Sequence, residues 1–584
     1  MALKNCISDF KSDISKRVRE LLESYFGCVQ VDVSLFKFET PPDEKMGHLA
    51  FACFPLAKIA RRSPSLIAQT LALRWGRSRL FRQVAASGPY LNFFYSPSFL
   101  ADELLPICIG DARYGSSSFG SGKTVMVEYS SPNSNKPLHL GHCRNTLLGI
   151  SISNLLENIG CQVVRTNLVN DRGIHICKSM YAYREWGEGE TPESAGVKGD
   201  KLVGKYYVTY DRRERENPEI LQNVQQLLRD WESGKPEVRA LWRKMNGWVL
   251  DGFRQTYARL GATFDRFYYE SETYQGGKEA VLKALESGIC AREPNGAVSI
   301  DLEEERLGRK ILLRGDGTAM YITQDISTTI RKFTDYHLDG SLFVVGDEQD
   351  MHFRLLFAIL KRFGYGWATR CEHVSYGMIT LPEGKMKSRE GTVVDLDDLM
   401  DSMKLMGERE LDKRYGDSPP EEIDREETAE AVCQSAIKYY ILKTNAAKEI
   451  SFDPKESLSF NGATGPYLQY THARICSLLK RADPAVEEEP SGTYRWQETE
   501  VGVMVHLARF PDAVLTSAKE RNPAILCTFV YDLCRSYNKF YYEFPIVKAK
   551  SGSERNARLL LSRATKAIVA KALGILEIEA LERM

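Results

Sequence analysis

Residues 127–149 read VEYSSPNSNKPLHLGHCRNTLLG. The run that enters this stretch, TVMVEYSS from Thr124, has the pattern of a buried strand. A proline-bearing turn follows, and then an amphipathic helix from about Leu140 to Asn158. Leu147, Leu148, Ile152, Leu155, Leu156 and Ile159 are its apolar positions, and Gly160 is placed to end it. CQVVRTNLV (161–169) then reads as a second strand. A strand–helix–strand unit builds a parallel sheet with helices on its faces. The expected fold class from Thr124 onward is therefore α/β.

The turn of this unit carries its chemistry. Exposed amide N–H groups and the helix dipole make the helix start attractive to anions. His139 and His142 are three residues apart and share one helical face. Gly141 between them leaves the backbone open to a flat ring or a phosphate. Lys136 adds positive charge one turn earlier, and Pro137 restricts the entry. Histidine is rare here, nine in 584 residues. An H-x-G-H string would arise by chance roughly 0.01 times in a chain of this composition. A Walker P-loop is absent, and so is a dinucleotide fingerprint in the first βα turn, so the phosphate mode leans on histidine.

Around this core the chain divides into three parts. Residues 1–115 read as a small α+β domain. Helical periodicity covers Ile14–Tyr25, an alternating run covers Val29–Phe38, helices are expected over Ala50–Arg61 and after Pro64, and ASGPYLNFFY (86–95) closes the part as a strand. GDARYGSSSFGSGK (110–123), rich in Gly and Ser, is the best linker candidate. Residues 120–424 form the α/β domain, interrupted by charged, helix-prone sequence at about 185–260. Its later strand candidates are SLFVVG (341–346) and EHVSYGMI (372–379), with a helix from about Asp350 between them. Residues 425–584 read as an all-helical bundle.

Net charge is zero, so a nucleic-acid partner must meet a local basic surface. Thirteen dispersed cysteines, none in a C-x-x-C pair, give no zinc-site spacing and fit reduced thiols in a cytosol. No secretory signal and no membrane span is expected.

HLGH resembles the "HIGH" signature of class I aminoacyl-tRNA synthetases. The wider stretch resembles arginyl-tRNA synthetases, whose pattern S-P-N-x-x-K-P-x-H-x-G-H-x-R is matched at every position from Ser131 to Arg144. The resemblance implies a Rossmann-like class I core with an N-terminal α+β domain and a C-terminal helical-bundle domain. It implies activation of arginine by ATP, with substrate-bound Mg²⁺ and no protein-bound zinc, and transfer to the 3′ adenosine of tRNA(Arg). A cytoplasmic monomer is also implied. Such chemistry needs no protein nucleophile; it rests on positioning and on stabilising phosphoryl charge.

The resemblance places Lys136, His139, His142 and Lys385 in catalysis, and Ser131, Gly141, His142 and Gly346 at ATP. A guanidinium has five donors and no acceptor, so its pocket needs carboxylates and neutral oxygens. Glu128 and Asn133 flank the strand–turn, Tyr321 and Asp325 lie four apart in MYITQDIS (320–327), and Gln349 ends VVGDEQ. Singly, each has an ordinary structural explanation; as a set they are expected to bind arginine. By resemblance Asp325 pairs with the guanidinium, while Asn133 and Gln349 hold the amino and carboxylate ends. FNGATGPYLQYTHARI (460–475) and YDLCRSYNKFYYEFPI (531–546) resemble the anticodon-binding domain. There Tyr467, Tyr470, Tyr537 and Tyr541 with Arg474 are expected to take tRNA, because unpaired bases stack on aromatics while basic groups take phosphate. The first part resembles the family's tRNA-elbow domain.

GKMKSREGT (384–392) follows the last strand, where class I enzymes carry the "KMSKS" loop. Lys385 and Met386 match its first two positions, but Lys387 and Ser388 are interchanged and Arg389 follows. Lys387, Ser388 and Arg389 are expected at ATP. Either Lys387 or Arg389 stands in for the second lysine, or Lys136 supplies that charge; the latter is preferred.

Overall fold

The computed structural model describes residues 6–27, 31–382, 394–415, 424–482 and 494–584. Lys385, Lys387, Ser388 and Arg389 lie outside the described residues. The chain forms two compact units, one of Met1–Ser118 with Ser459–Met584, the other of Phe119–Pro419 with Arg425–Leu458.

The second unit holds a parallel sheet of five strands: β1 (Thr124–Glu128), β2 (Gln162–Val169), β3 (Arg266–Tyr269), β4 (Gly340–Gly346) and β5 (Cys371–Tyr376). Their order across the sheet is β5-β4-β1-β2-β3, every neighbouring pair parallel. The direction of winding reverses between β1 and β4, and in open sheets of this kind ligands bind beyond the carboxyl ends of the strands at that switch. Helix α1 (Leu140–Asn158) follows β1, α2 (Tyr321–Asp335) precedes β4, and α3 (Asp350–Arg362) follows it. The starts of α1, α2 and α3 therefore all lie at the carboxyl edge of the sheet.

The charged segment at 185–260 is helical, over Gly199–Glu216, Ile220–Glu232 and Pro236–Leu260. A three-stranded antiparallel sheet (Cys290–Arg292, Val298–Leu302, Gly308–Leu313) lies between β3 and α2 in the chain and was not anticipated. Its strands are short and its turns local, so they leave little periodic signal.

In the first unit the strands Phe38–Glu39, Leu49–Ala52, Tyr90–Tyr95 and Phe81–Ser87 form an antiparallel sheet in that spatial order. Two expected elements change here. The helix expected from Ala50 begins as a strand, because LAFA is buried throughout and pairs with Tyr90–Phe93; only Ala57–Ala60 is α-helical. The alternating run expected as a strand to Phe38 instead makes a short 3-10 turn at Val33–Leu35, capped when Asp32 accepts from the Ser34 amide. The Gly/Ser-rich stretch holds the division between the units, at Ser118 and Phe119, and before it Tyr114 is buried and donates its hydroxyl to the Leu507 carbonyl. The C-terminal bundle consists of α4 (Gly465–Arg481), α5 (Glu498–Lys519), α6 (Pro523–Glu543) and α7 (Gly552–Ile575). The expected boundary at 425 moves, because helix Arg425–Leu442 belongs to the sheet unit.

Helix α1 lies close against its strand. A Cβ at Gly149 would overlap the buried Tyr129 ring, which follows β1 and donates its hydroxyl to Thr263 O. Gly149→Ala should lower the urea-denaturation midpoint of the sheet unit, at a cost of about 1–3 kcal/mol for overpacking. An unchanged midpoint would mean that Tyr129 yields without cost.

Candidate active site

Strand β1 ends in a strained turn. Ser130 and Ser131 both have left-handed backbones, with φ of 72° and 46°. Such residues cost on the order of 1–3 kcal/mol each and persist where their surroundings fix them. Here Asn145 accepts from the Ser130 amide, Asn167 accepts from the Ser131 amide at 3.2 Å, and the Ser130 and Tyr257 hydroxyls meet at 2.7 Å. Asn145 also donates to Val344 O of β4 at 2.7 Å, which ties the turn to the neighbouring strand. The Ser131 hydroxyl is buried with no hydrogen-bond partner among the described residues.

The turn delivers the chain to His139, which caps α1. Its Nδ1 accepts from the Gly141 amide at 3.1 Å, and the His139 amide donates to His142 Nδ1 at 3.2 Å. The two rings lie 3.9 Å apart. A Cβ at Gly141 would sit 3.0 Å from His139 Cε1, so this cap crowds any larger residue there. Burial first, and then the Lys136 charge, brings the His139 pKa down to about 4. Burial, His139 and Lys136 push His142 well below its ordinary value. Both rings are therefore neutral near pH 7. With Nδ1 accepting in each, the single ring proton sits on Nε2, so both histidines present an N–H donor. Two residues on, the fully buried Arg144 donates to the carbonyls of Gly377, Met378 (3.0 Å), Ala446 (2.8 Å) and Lys448 (2.7 Å). It fixes α1 to the chain leaving β5.

Side chains of opposite character stand on other elements along the same sheet edge. Asp325, half-buried in the first turns of α2, accepts from His352 Nε2 at 2.7 Å. Glu270 opens the helix after β3; burial pushes its carboxyl up to about 7, Arg172 resists this, and Asp325 and Asp171 add to it. Two carboxylates within electrostatic reach of one another form a site for a cation. Asn170 lies between Asn133 and Glu270, and with its amide turned so that both neighbours are satisfied it donates to Glu270. Ser271 donates its amide (2.9 Å) and hydroxyl (2.7 Å) to Asp171 and so steadies the turn that carries Glu270. Tyr321 and Gln349 are exposed at the starts of α2 and α3, and Gly346 ends β4.

Two expected site residues lie elsewhere. The carboxylate of Glu128 is buried against Lys332 of α2, so it is neutralised inside the protein rather than offered to a ligand. Tyr537 is fully buried with its hydroxyl on Ser562, and its ring is core. Glu270 and His352 were missed. A carboxylate directly after a parallel strand and a histidine three residues beyond Gln349 were the available signals.

In the C-terminal bundle Tyr470, Arg474 and Tyr541 line a cavity of about 620 Å³ together with Arg481, Lys548 and Met584. The Arg474 guanidinium lies 4.7 Å from the Tyr470 ring centre and 5.3 Å from that of Tyr541. Asn538 accepts from Arg474 at 2.6 Å and donates to the Tyr467 hydroxyl at 2.9 Å, so Tyr467 acts through this network.

The folded chain binds fewer protons at His139 than the unfolded chain between the ordinary pKa of 6.5 and about 4. The stability this ring contributes is complete above pH 6.5 and is lost as pH falls toward 4. His139→Gln has no such proton to bind. Its urea stability should fall less steeply than the wild type's over that range, and parallel slopes would show that the ring is not held neutral.

Three family models match the chain: "Arginyl tRNA synthetase N terminal domain" over residues 8–95, "tRNA synthetases class I (R), catalytic domain" over 106–454, and "DALR anticodon binding domain" over 468–584. The arginine–tRNA ligase of Treponema denticola is 42% identical over 574 residues, covering 95% of this chain and 96% of its own. That of Bacteroides thetaiotaomicron is also 42% identical, over 583 residues, with 95% and 96% covered. The structure of Thermus thermophilus arginyl-tRNA synthetase superposes with a TM-score of 0.82 at 27% identity, covering 98% of this chain and 100% of that one. With its catalytic model matching more than half of its length and relatives of this identity aligned nearly end to end, the chain belongs to the arginyl-tRNA synthetase family.

Proposed function

We propose that the chain is an arginine–tRNA ligase. The arginine carboxylate attacks the α-phosphorus of ATP, pyrophosphate leaves, and the acyl group of the resulting arginyl-adenylate moves to the 3′ adenosine of tRNA(Arg) with release of AMP. The observation that carries this reading is the division of the sheet edge into two halves. The α1 side offers donors: Lys136 and the Nε2–H groups of His139 and His142. The α2 side offers carboxylates. A polyphosphate suits the first and a guanidinium the second.

In this reading Ser131, Gly141, His142 and Gly346 line ATP, whose phosphates carry Mg²⁺. Neutral imidazoles suit the task, because they donate hydrogen bonds as charge builds on the phosphoryl oxygens without adding a proton equilibrium near pH 7. Asp325 and Glu270 take the guanidinium with Tyr321 beside them, while Asn133 and Gln349 hold the amino and carboxylate ends. Lys385 serves catalysis, Lys387, Ser388 and Arg389 belong to the ATP-binding set, and Lys136 supplies the charge of the missing second lysine. The Tyr470–Arg474–Tyr541 cavity receives an unpaired tRNA base. The enzyme acts in the cytoplasm as a monomer.

Aminoacylation of bulk tRNA, run with each of the twenty labelled amino acids in turn, tests the assignment. Arginine alone should be incorporated; no charging with arginine would sink it. Tyr541→Ala should raise the KM for tRNA about tenfold, given that base stacking is worth about 1–3 kcal/mol. The KM values for ATP and arginine should stay as they are, and an unchanged tRNA KM would remove the cavity from the tRNA surface.

A further inference from the structure

His352 has no part in the reaction as described, yet it makes a direct side-chain contact with the carboxylate assigned to the guanidinium. Asp325 stands on α2 and His352 on α3, so the 2.7 Å bond between Nε2 and Oδ2 joins two elements that each carry proposed arginine contacts. Tyr321 lies one turn before Asp325, and Gln349 three residues before His352. A carboxylate has no donor of its own when ionised, so His352 must carry its proton on Nε2 whether or not Nδ1 is also protonated. The bond therefore persists in both charge states of the ring. Half-burial of both side chains keeps it from free exchange with water.

The consequence is geometric. A carboxylate free to turn about its last torsion can meet a compact ammonium ion as readily as a planar guanidinium. With Oδ2 engaged, the Asp325 plane is fixed and Oδ1 is left for the ligand, with Glu270 as the second acceptor. A held Asp325 acceptor, with the Glu270 carboxyl within electrostatic reach, suits the spread donors of a guanidinium fork better than the single nitrogen of a lysine side chain.

We propose that His352 is a specificity-determining positioning residue: it holds Asp325 in the orientation that selects a planar guanidinium over an ammonium group. This rests on the assignment of Asp325 to the arginine side chain.

The test is tRNA aminoacylation by the full-length enzyme with arginine and, separately, lysine, comparing wild type with His352→Ala, His352→Gln and Asp325→Ala. His352→Ala should raise the KM for arginine about tenfold with kcat within about threefold, since one charge-assisted hydrogen bond to the binding group is lost. It should narrow the arginine-over-lysine ratio of kcat/KM by a similar factor. His352→Gln retains a donor and should recover most of both. Two results would overturn the inference. One is an unchanged KM and ratio in His352→Ala while Asp325→Ala raises the arginine KM. The other is equal loss in the Ala and Gln variants alongside equal falls in melting temperature, which marks a purely structural contact. If Asp325→Ala leaves the arginine KM unchanged, the arginine-pocket assignment itself fails, and the proposal with it.

Discussion

The two consecutive left-handed serines at the end of β1 are the constraint on which the site depends. They turn the chain sharply out of the sheet, so that His139 arrives as the cap of α1 instead of continuing the strand. Neither serine would adopt this backbone unaided. Asn145 reaches back from α1, Asn167 comes across from β2, and Tyr257 comes from the inserted helices. The amide of Asn145 then continues to β4. One turn thus draws on two strands, the helix it creates and the insertion.

From that turn the electrostatics follow. Burial at the helix start strips the two histidines of charge while the backbone amides dictate which ring nitrogen holds the proton. The result is a cradle of donors whose charge does not vary with pH near neutrality. Arg144 remains a buried cation, but it spends itself on four carbonyls and so anchors the helix instead of offering charge to a ligand. Among the described residues, Lys136 supplies positive charge beside the two histidines. On the other side, the buried Glu128–Lys332 pair joins β1 to α2 and removes one carboxylate from competition with Asp325 and Glu270. A buried ion pair adds little net stability over an apolar pair of the same size, and its best-attested use is to set register. Here it fixes α2 against β1.

Much of this was legible in the sequence, for identifiable reasons. The βαβ unit and α1 follow from periodicity, because long amphipathic helices and buried parallel strands leave strong patterns. The LAFA strand was read as helix because four consecutive apolar residues suit either state, and only pairing with Tyr90–Phe93 decides between them. Tyr537 looked like a stacking platform because an aromatic beside basic residues has one composition whether it faces RNA or the core. Glu128 looked like a ligand group because its partner, Lys332, lies more than two hundred residues away. Glu270 and His352 were missed for the same reason: each gains its meaning from a neighbour on another element.

The central claim is that α1 presents two neutral imidazoles with both protons on Nε2. Nitrogen-15 NMR of histidine-labelled protein at pH 7, with His139→Gln and His142→Gln used for assignment, reads ring charge and tautomer directly. The account predicts two neutral rings protonated at Nε2, with Nδ1 unprotonated and the Nε2–H signals moving when ATP is added. An imidazolium at either position, or a proton on Nδ1, would contradict it.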